Sequence, residues 1–215
     1  MKINILTLFP EYFISPLQTS ILGKAQERTE LRIKVVNIRD FTTDKHQITD
    51  EPPYGGGAGM VMKVEPIDRA LQSLELKRGD SEKRIVLTSA KGEIFTQETA
   101  TLYSELNELT IICGHYEGVD ERVAQHLVDE EVRIGDYVLT GGEPAAAVMV
   151  DSVVRLIPGV LGNETSLNNE SHQKLGQLSH PQYTRPEEYR GWKVPDVLLS
   201  GNHQQIREWR QQQRN

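Results

Sequence analysis

The chain reads as an α/β protein built on a mostly parallel sheet. Three observations predict this. Apolar runs of strand length alternate with stretches of helix length as far as residue 157. The 215 residues are enough for one large domain, or one domain with a small appendage, around a substantial core. After Gly162 the texture turns polar, as expected where a folded domain gives way to a connector.

Taken in order, Lys2 to Leu8 is a buried strand, closed by a Pro-containing turn at Phe9-Pro10. Residues from about Pro16 to Arg28 suit a helix, and Leu31 to Asn37 alternates like a strand. Residues 40 to 60 lack periodicity and hold Tyr54-Gly55-Gly56-Gly57-Ala58-Gly59-Met60; long loops of this kind in compact domains are usually functional or disordered. A helix over Glu65 to Leu76 follows, then a strand over Arg84 to Thr88 that ends in Ser89-Ala90-Lys91-Gly92. Thr96 to Leu106 is helical, and Glu108 to Cys113 is a buried strand ending on Gly114. Asp120 is a suitable N-cap for a helix reaching Val128, and Glu131 to Ile134 leads into a glycine-flanked loop. Pro144 to Ile157 is an Ala- and Val-rich helix stopped by Pro158-Gly159. Asn163 to Ser179 has no apolar face. The chain thus divides into 1–162, a linker over 163–180 and a short helical region over 181–215. That region ends in a helix from about Asn202, with Ile206 and Trp209 on one face and Arg207, Arg210 and Arg214 on another.

Composition narrows the function classes. One cysteine, Cys113, excludes an internal disulfide framework and suits a reducing cytosol. No run approaches the roughly 20 apolar residues of a membrane span, and the N-terminus is too polar for a signal peptide, so a soluble cytoplasmic protein with no membrane partner is expected. A net charge of −7 argues at first against nucleic acid. The acids are concentrated, however: Glu105 to Asp151 holds eleven acids and two bases, while Thr184 to the end holds six bases and four acids. An RNA-binding surface is permitted.

Two segments point to a small-molecule pocket. Gly114-His115-Tyr116-Glu117-Gly118-Val119-Asp120 and Arg133-Ile134-Gly135-Asp136-Tyr137-Val138-Leu139-Thr140-Gly141-Gly142-Glu143 supply backbone that can approach a ligand closely. Neither matches the common dinucleotide or triphosphate motifs. The six histidines and lone cysteine show no zinc spacing.

Together with Leu8-Phe9-Pro10, Arg39-Asp40-Phe41, Pro53-Tyr54-Gly55-Gly56-Gly57, Arg155-Leu156-Ile157-Pro158-Gly159-Val160-Leu161-Gly162, Tyr183-Thr184-Arg185-Pro186 and Leu199-Ser200-Gly201-Asn202-His203, these segments resemble the bacterial tRNA (guanine-37-N1)-methyltransferase family of the SPOUT class. The resemblance covers nearly the whole chain. It implies a trefoil-knotted domain with a parallel sheet, binding S-adenosyl-L-methionine, and an obligate homodimer whose active sites draw on both subunits. It also implies a small C-terminal helical domain for the tRNA anticodon arm, here expected to be shortened. Magnesium (Mg2+) is an expected companion ion, with no ligand cluster that identifies its site.

Backbone from a tight loop can read the edge of adenine without side chains. The cofactor pocket is therefore expected at Gly114 and Ile134, Gly135, Asp136, Tyr137, Val138 and Leu139. Thr88, Ser89, Gly92, Gly141 and Gly142 form further walls, and Tyr116 offers a ring contact. Methylating guanine N1 needs a base for the N1 proton and a positive group near O6. Arg155 stands at the family's catalytic arginine; alone, it would read as a solvated helix terminus. Glu170 stands where the family has an aspartate before a serine, with His172 as a competitor for the base. Glu117 faces cofactor or guanine, or else caps a turn. His180, Arg185 and Arg210 are expected to contact RNA, a tRNA carrying G36-G37. A SPOUT enzyme acting on another RNA, and a catalytically silent RNA-binding relative, are the alternatives.

Overall fold

The computed structural model describes residues 1–162, 170–173 and 176–214. Half of the polar linker predicted over 163–180 thus lies outside the described residues. The chain divides into two compact units, Met1–Gly162 and Asn163–Asn215.

The first unit is built on a five-stranded, all-parallel sheet. Its strands are β1 (Lys2–Thr7), β2 (Arg32–Asn37), β5 (Lys83–Ile94), β6 (Glu108–Cys113) and β7 (Glu130–Arg133), in the order β2-β1-β6-β5-β7. Two short antiparallel strands, β3 (Asp50–Glu51) and β4 (Val61–Met62), pair across the long loop. The central strands are buried on both faces, and their alternation sorts them into two cores. Ile3, Ile5, Val86, Leu109, Ile111 and Cys113 point to one face. There they meet helices α1 (Ile14–Gln18), α2 (Ser20–Arg28), α4 (Gln97–Ser104) and α6 (Glu143–Val154). Leu6, Ile85, Leu87 and Ile112 point to the other, against α3 (Val64–Ser73) and α5 (Glu121–His126).

Four elements depart from expectation. The helix foreseen over Pro16 to Arg28 is broken at Thr19, which is extended; Ser20 takes a left-handed φ of 53°. Thr19 Oγ1 donates to the Ser15 carbonyl at 3.0 Å and satisfies an α1 end group that a continuing helix would have bonded. Strand β5 runs on past Thr88 to Ile94, because residues 89–92 bulge out of the ladder. Thr88 and Glu93 both pair with Val132. Helix α6 stops at Val154, with Arg155 as its C-cap, since Pro158 disfavours helical geometry at the residue before it. Unforeseen altogether is a hairpin in the second unit.

That hairpin pairs β8 (Glu188–Tyr189) with β9 (Trp192–Lys193) through Arg190-Gly191, both with positive φ. The unit also holds α7 (Asp196–Leu199) and α8 (His203–Gln212). Asn202 caps α8, its Oδ1 accepting from the Gln204 and Gln205 amides.

Candidate active site

The C-terminal ends of β5, β6 and β7 surround a cavity of about 500 Å³, where ligands of open parallel sheets are held. Its floor is where β5 reaches Thr88, just before its bulge, and β6 finishes. Thr88 Oγ1 donates to the Ile112 carbonyl at 3.2 Å and accepts the Gly114 amide at 3.1 Å. The chain leaving β7 returns over this point. The Gly142 amide donates to the Gly114 carbonyl at 2.7 Å, and His115 bridges Gly141 in antiparallel fashion. A Cβ on Gly142 would lie 1.9 Å from Thr88 Oγ1, so no larger residue fits the crossing.

Most residues expected to hold a cofactor meet here. Thr88, Ser89, Gly114, Tyr116, Gly141 and Gly142 line the cavity, and so do Ile134, Gly135, Tyr137, Val138 and Leu139. Gly92 and Asp136 do not. Gly92 lies against the β7 backbone, where a Cβ would come within 2.4 Å of the Glu131 carbonyl carbon, and its own carbonyl accepts from Arg133 Nη1. Asp136 is turned outward and ion-paired with Arg133 Nε at 2.8 Å. The Tyr137 ring folds over Gly135, which closes the loop on itself.

Charged residues also reach the cavity: Lys91, within the expected 88–92 wall, and Glu121 and Glu131, which the sequence reading passed over. Lys91, carried out by the β5 bulge, pairs with Glu121 and with Glu131 at 3.5 Å. The hydrogen bond to Glu121 holds its ammonium above the ordinary lysine range. With Glu117 also on the lining, carboxylates outnumber cations at this mouth, a field that favours a positively charged ligand group. The Glu117 amide donates to the Met60 carbonyl and its side chain packs on Gly59, which ties the Tyr54–Met60 loop to the cavity's turn. Cys113 is fully buried beneath this site; burial pushes its thiol far up, the Glu143 charge adds to that, and it is no nucleophile.

Arg155 is half-buried at the end of α6 and is not on the cavity lining. Glu170 belongs to the second unit and is half-buried; close to it in sequence, the His172 amide donates to the Gln177 carbonyl at 2.6 Å. His172 is exposed and adopts a left-handed φ of 67°. Within that same unit, His180, Arg185 and Arg210 line one groove, with Tyr183 and Trp209 between them at 6.3 Å ring separation. Among the described residues, no group of three or more His, Cys, Asp or Glu is placed to hold a metal ion, and no helix is long and apolar enough to cross a membrane.

The family model described as tRNA (Guanine-1)-methyltransferase TrmD matches residues 1–215. A protein of Carboxydothermus hydrogenoformans is 54% identical over 213 residues, covering 99% of this chain and 82% of that protein. One from Bacillus cereus (strain AH820) is 55% identical over 210 residues, covering 98% and 85%. One from Bacillus anthracis (strain A0248) matches at the same identity and coverage. All three carry the name tRNA (guanine-N(1)-)-methyltransferase.

Proposed function

The chain belongs to the tRNA (guanine-1)-methyltransferase family, and from that premise we propose that it is the enzyme that methylates N1 of guanosine 37 in tRNA, using S-adenosyl-L-methionine. The observation that carries this reading is the glycine-walled cavity at the ends of β5, β6 and β7, in a chain matched over its whole length. When bound, S-adenosyl-L-methionine supplies a methyl group activated by its sulfonium charge. The backbone of Ile134 to Leu139 is suited to the adenine edge, Tyr116 to ring contact, and Glu117 and Glu131 to the positive charges of the methionyl end. Arg155 sets a permanent cation beside guanine O6, where negative charge builds as N1 loses its proton. The Glu170 carboxylate would take that proton as the general base for methylation at N1. Magnesium finds no ligand cluster among the described residues and enters no step here.

The trefoil knot belongs to the same proposal, supported by the return of the 133–142 segment across the end of β6. So does the homodimer, which would cover Tyr12, Ile14, Ile21 and Val148, apolar side chains exposed on contacting elements of one flank. In the second unit, His180, Arg185 and Arg210 are the RNA contacts, with Tyr183 and Trp209 available for stacking.

The deciding experiment follows labelled methyl transfer to tRNA bearing G36-G37 and to a G37 substitution. Transfer lost with G37 supports the proposal. Transfer that ignores G37 assigns the enzyme to another RNA target, and cofactor binding without turnover makes it a silent relative. In single turnover, Arg155→Ala is expected to slow transfer by about 10²–10³-fold and Glu170→Ala by about 10²–10⁴-fold. An unchanged Glu170→Ala rate removes Glu170 as the base.

A further inference from the structure

Glu143 is a carboxylate buried to 4% exposure that the reaction above does not use. It opens α6, where the positive end of the helix favours an anion. Its Oε1 accepts the hydroxyl proton of Thr7, the last residue of β1, at 2.7 Å, and Thr7 Oγ1 in turn accepts the Phe9 amide at 2.9 Å. Its Oε2 faces His115 Nδ1 at 3.8 Å. That nitrogen is buried and has no hydrogen-bond partner. The ring itself is wedged between Phe9 and Tyr116, at centroid distances of 4.8 and 4.9 Å. Gly141 crosses at the same point: a Cβ there would sit 2.5 Å from both Glu143 Oε2 and His115 Nδ1. One carboxylate is therefore the meeting point of β1, the 114–116 turn and the returning 139–142 segment. The last two of these are walls of the cavity.

A carboxylate can only accept, so a hydrogen bond that closes the 3.8 Å between Glu143 and His115 requires the proton on Nδ1. A buried charge costs several kcal/mol unless partners are held in place around it, and a network of this kind fixes its members against one another. We propose that Glu143 is a positioning residue for methyl transfer: through Thr7 and His115 it holds the two glycine turns of the cavity in the register that binds the methyl donor, with His115 in its Nδ1–H form. This rests on the cofactor reading given above.

Nitrogen-15 correlation spectra of the intact, histidine-labelled chain test it, with the His115 signals identified by their loss in His115→Asn. Nδ1 is expected to be protonated in the native protein. In Glu143→Gln, the amide oxygen keeps Thr7 and the amide nitrogen turns to the ring, so the proton moves to Nε2. Titration with S-adenosylhomocysteine is expected to show binding about tenfold weaker in Glu143→Gln and Thr7→Val, with restoration in Thr7→Ser. With the donor varied, its KM rises in step with the weaker binding, while kcat at saturating donor changes much less. A native His115 protonated only at Nε2 overturns the inference, and so does unchanged affinity in both variants. A native protein that shows the expected tautomer yet binds no S-adenosylhomocysteine counts instead against the cofactor reading.

Discussion

Between Gly142 and Thr88 there is no room for a methyl group, and the cavity depends on that closeness. With a Cβ 1.9 Å from Thr88 Oγ1 and 2.8 Å from the Gly114 nitrogen, Gly142→Ala must push the returning segment off the end of β6. It is expected to cost about 1–3 kcal/mol of stability, as overpacking does, and to weaken donor binding more than tenfold. Gly162→Ala, with open space around it, should do neither. Thermal denaturation and calorimetric titration of the two variants check this. At this scale the sequence was a partial guide. Thr88, Gly114 and Gly142 stood out as glycine-turn and strand-end residues, and they do touch. Gly92 and Asp136 sat in the same motifs, yet one serves the β5–β7 crossing and the other turns to solvent. The surroundings of His115 and Lys91 were hidden because Glu143, which faces the first, and Glu121 and Glu131, which pair with the second, come from distant parts of the chain.

Elements were most legible where local pattern and burial agreed. Leu109 to Cys113 is apolar but for Thr110, and with Glu108 it forms the buried β6. Asp120 caps α5, as its position before the helix suggested. The bulge in β5 was not legible, because nothing local in Ser89 to Gly92 separates a strand that stops from one that steps aside. Nor was the break at Thr19, or the two-residue strands of the Arg190-Gly191 hairpin. At its opposite end the sheet has its own charged device. Burial works against ionisation of Glu108, but hydrogen bonds from Lys2 and Asn4 and the charges of Lys2 and Lys83 outweigh it and hold the carboxyl below its usual range. The folded protein then releases this proton more readily than the unfolded chain. Its contribution is complete above the unfolded value, about 4.3, and is lost as pH falls through the lower folded value. Glu108→Gln is expected to lose roughly 1–3 kcal/mol at neutral pH and to flatten the acid limb of stability, as urea melts at stepped pH would reveal.

As a whole molecule, the chain separates a unit with two packed cores from one with no buried hydrophobic residue among those described. A fragment of residues 1–162 is accordingly expected to fold and to bind S-adenosylhomocysteine with near-native affinity. It should transfer no methyl group, because Glu170 and the arginines of the second unit are gone. Circular dichroism, calorimetry and the labelled assay test the three parts of that expectation, and an active fragment would dismiss Glu170 from the chemistry. The charge balance differs along the chain, with eleven acids and two bases over 105–151 but six bases and four acids from Thr184 on. The placement of Cys113 bears on the entire fold. It is the sole thiol of the chain and completely enclosed at the end of the middle strand. A sulfhydryl reagent can reach it only after the layers part, so its rate of capture is a built-in clock for opening of the molecule, with no label to be engineered.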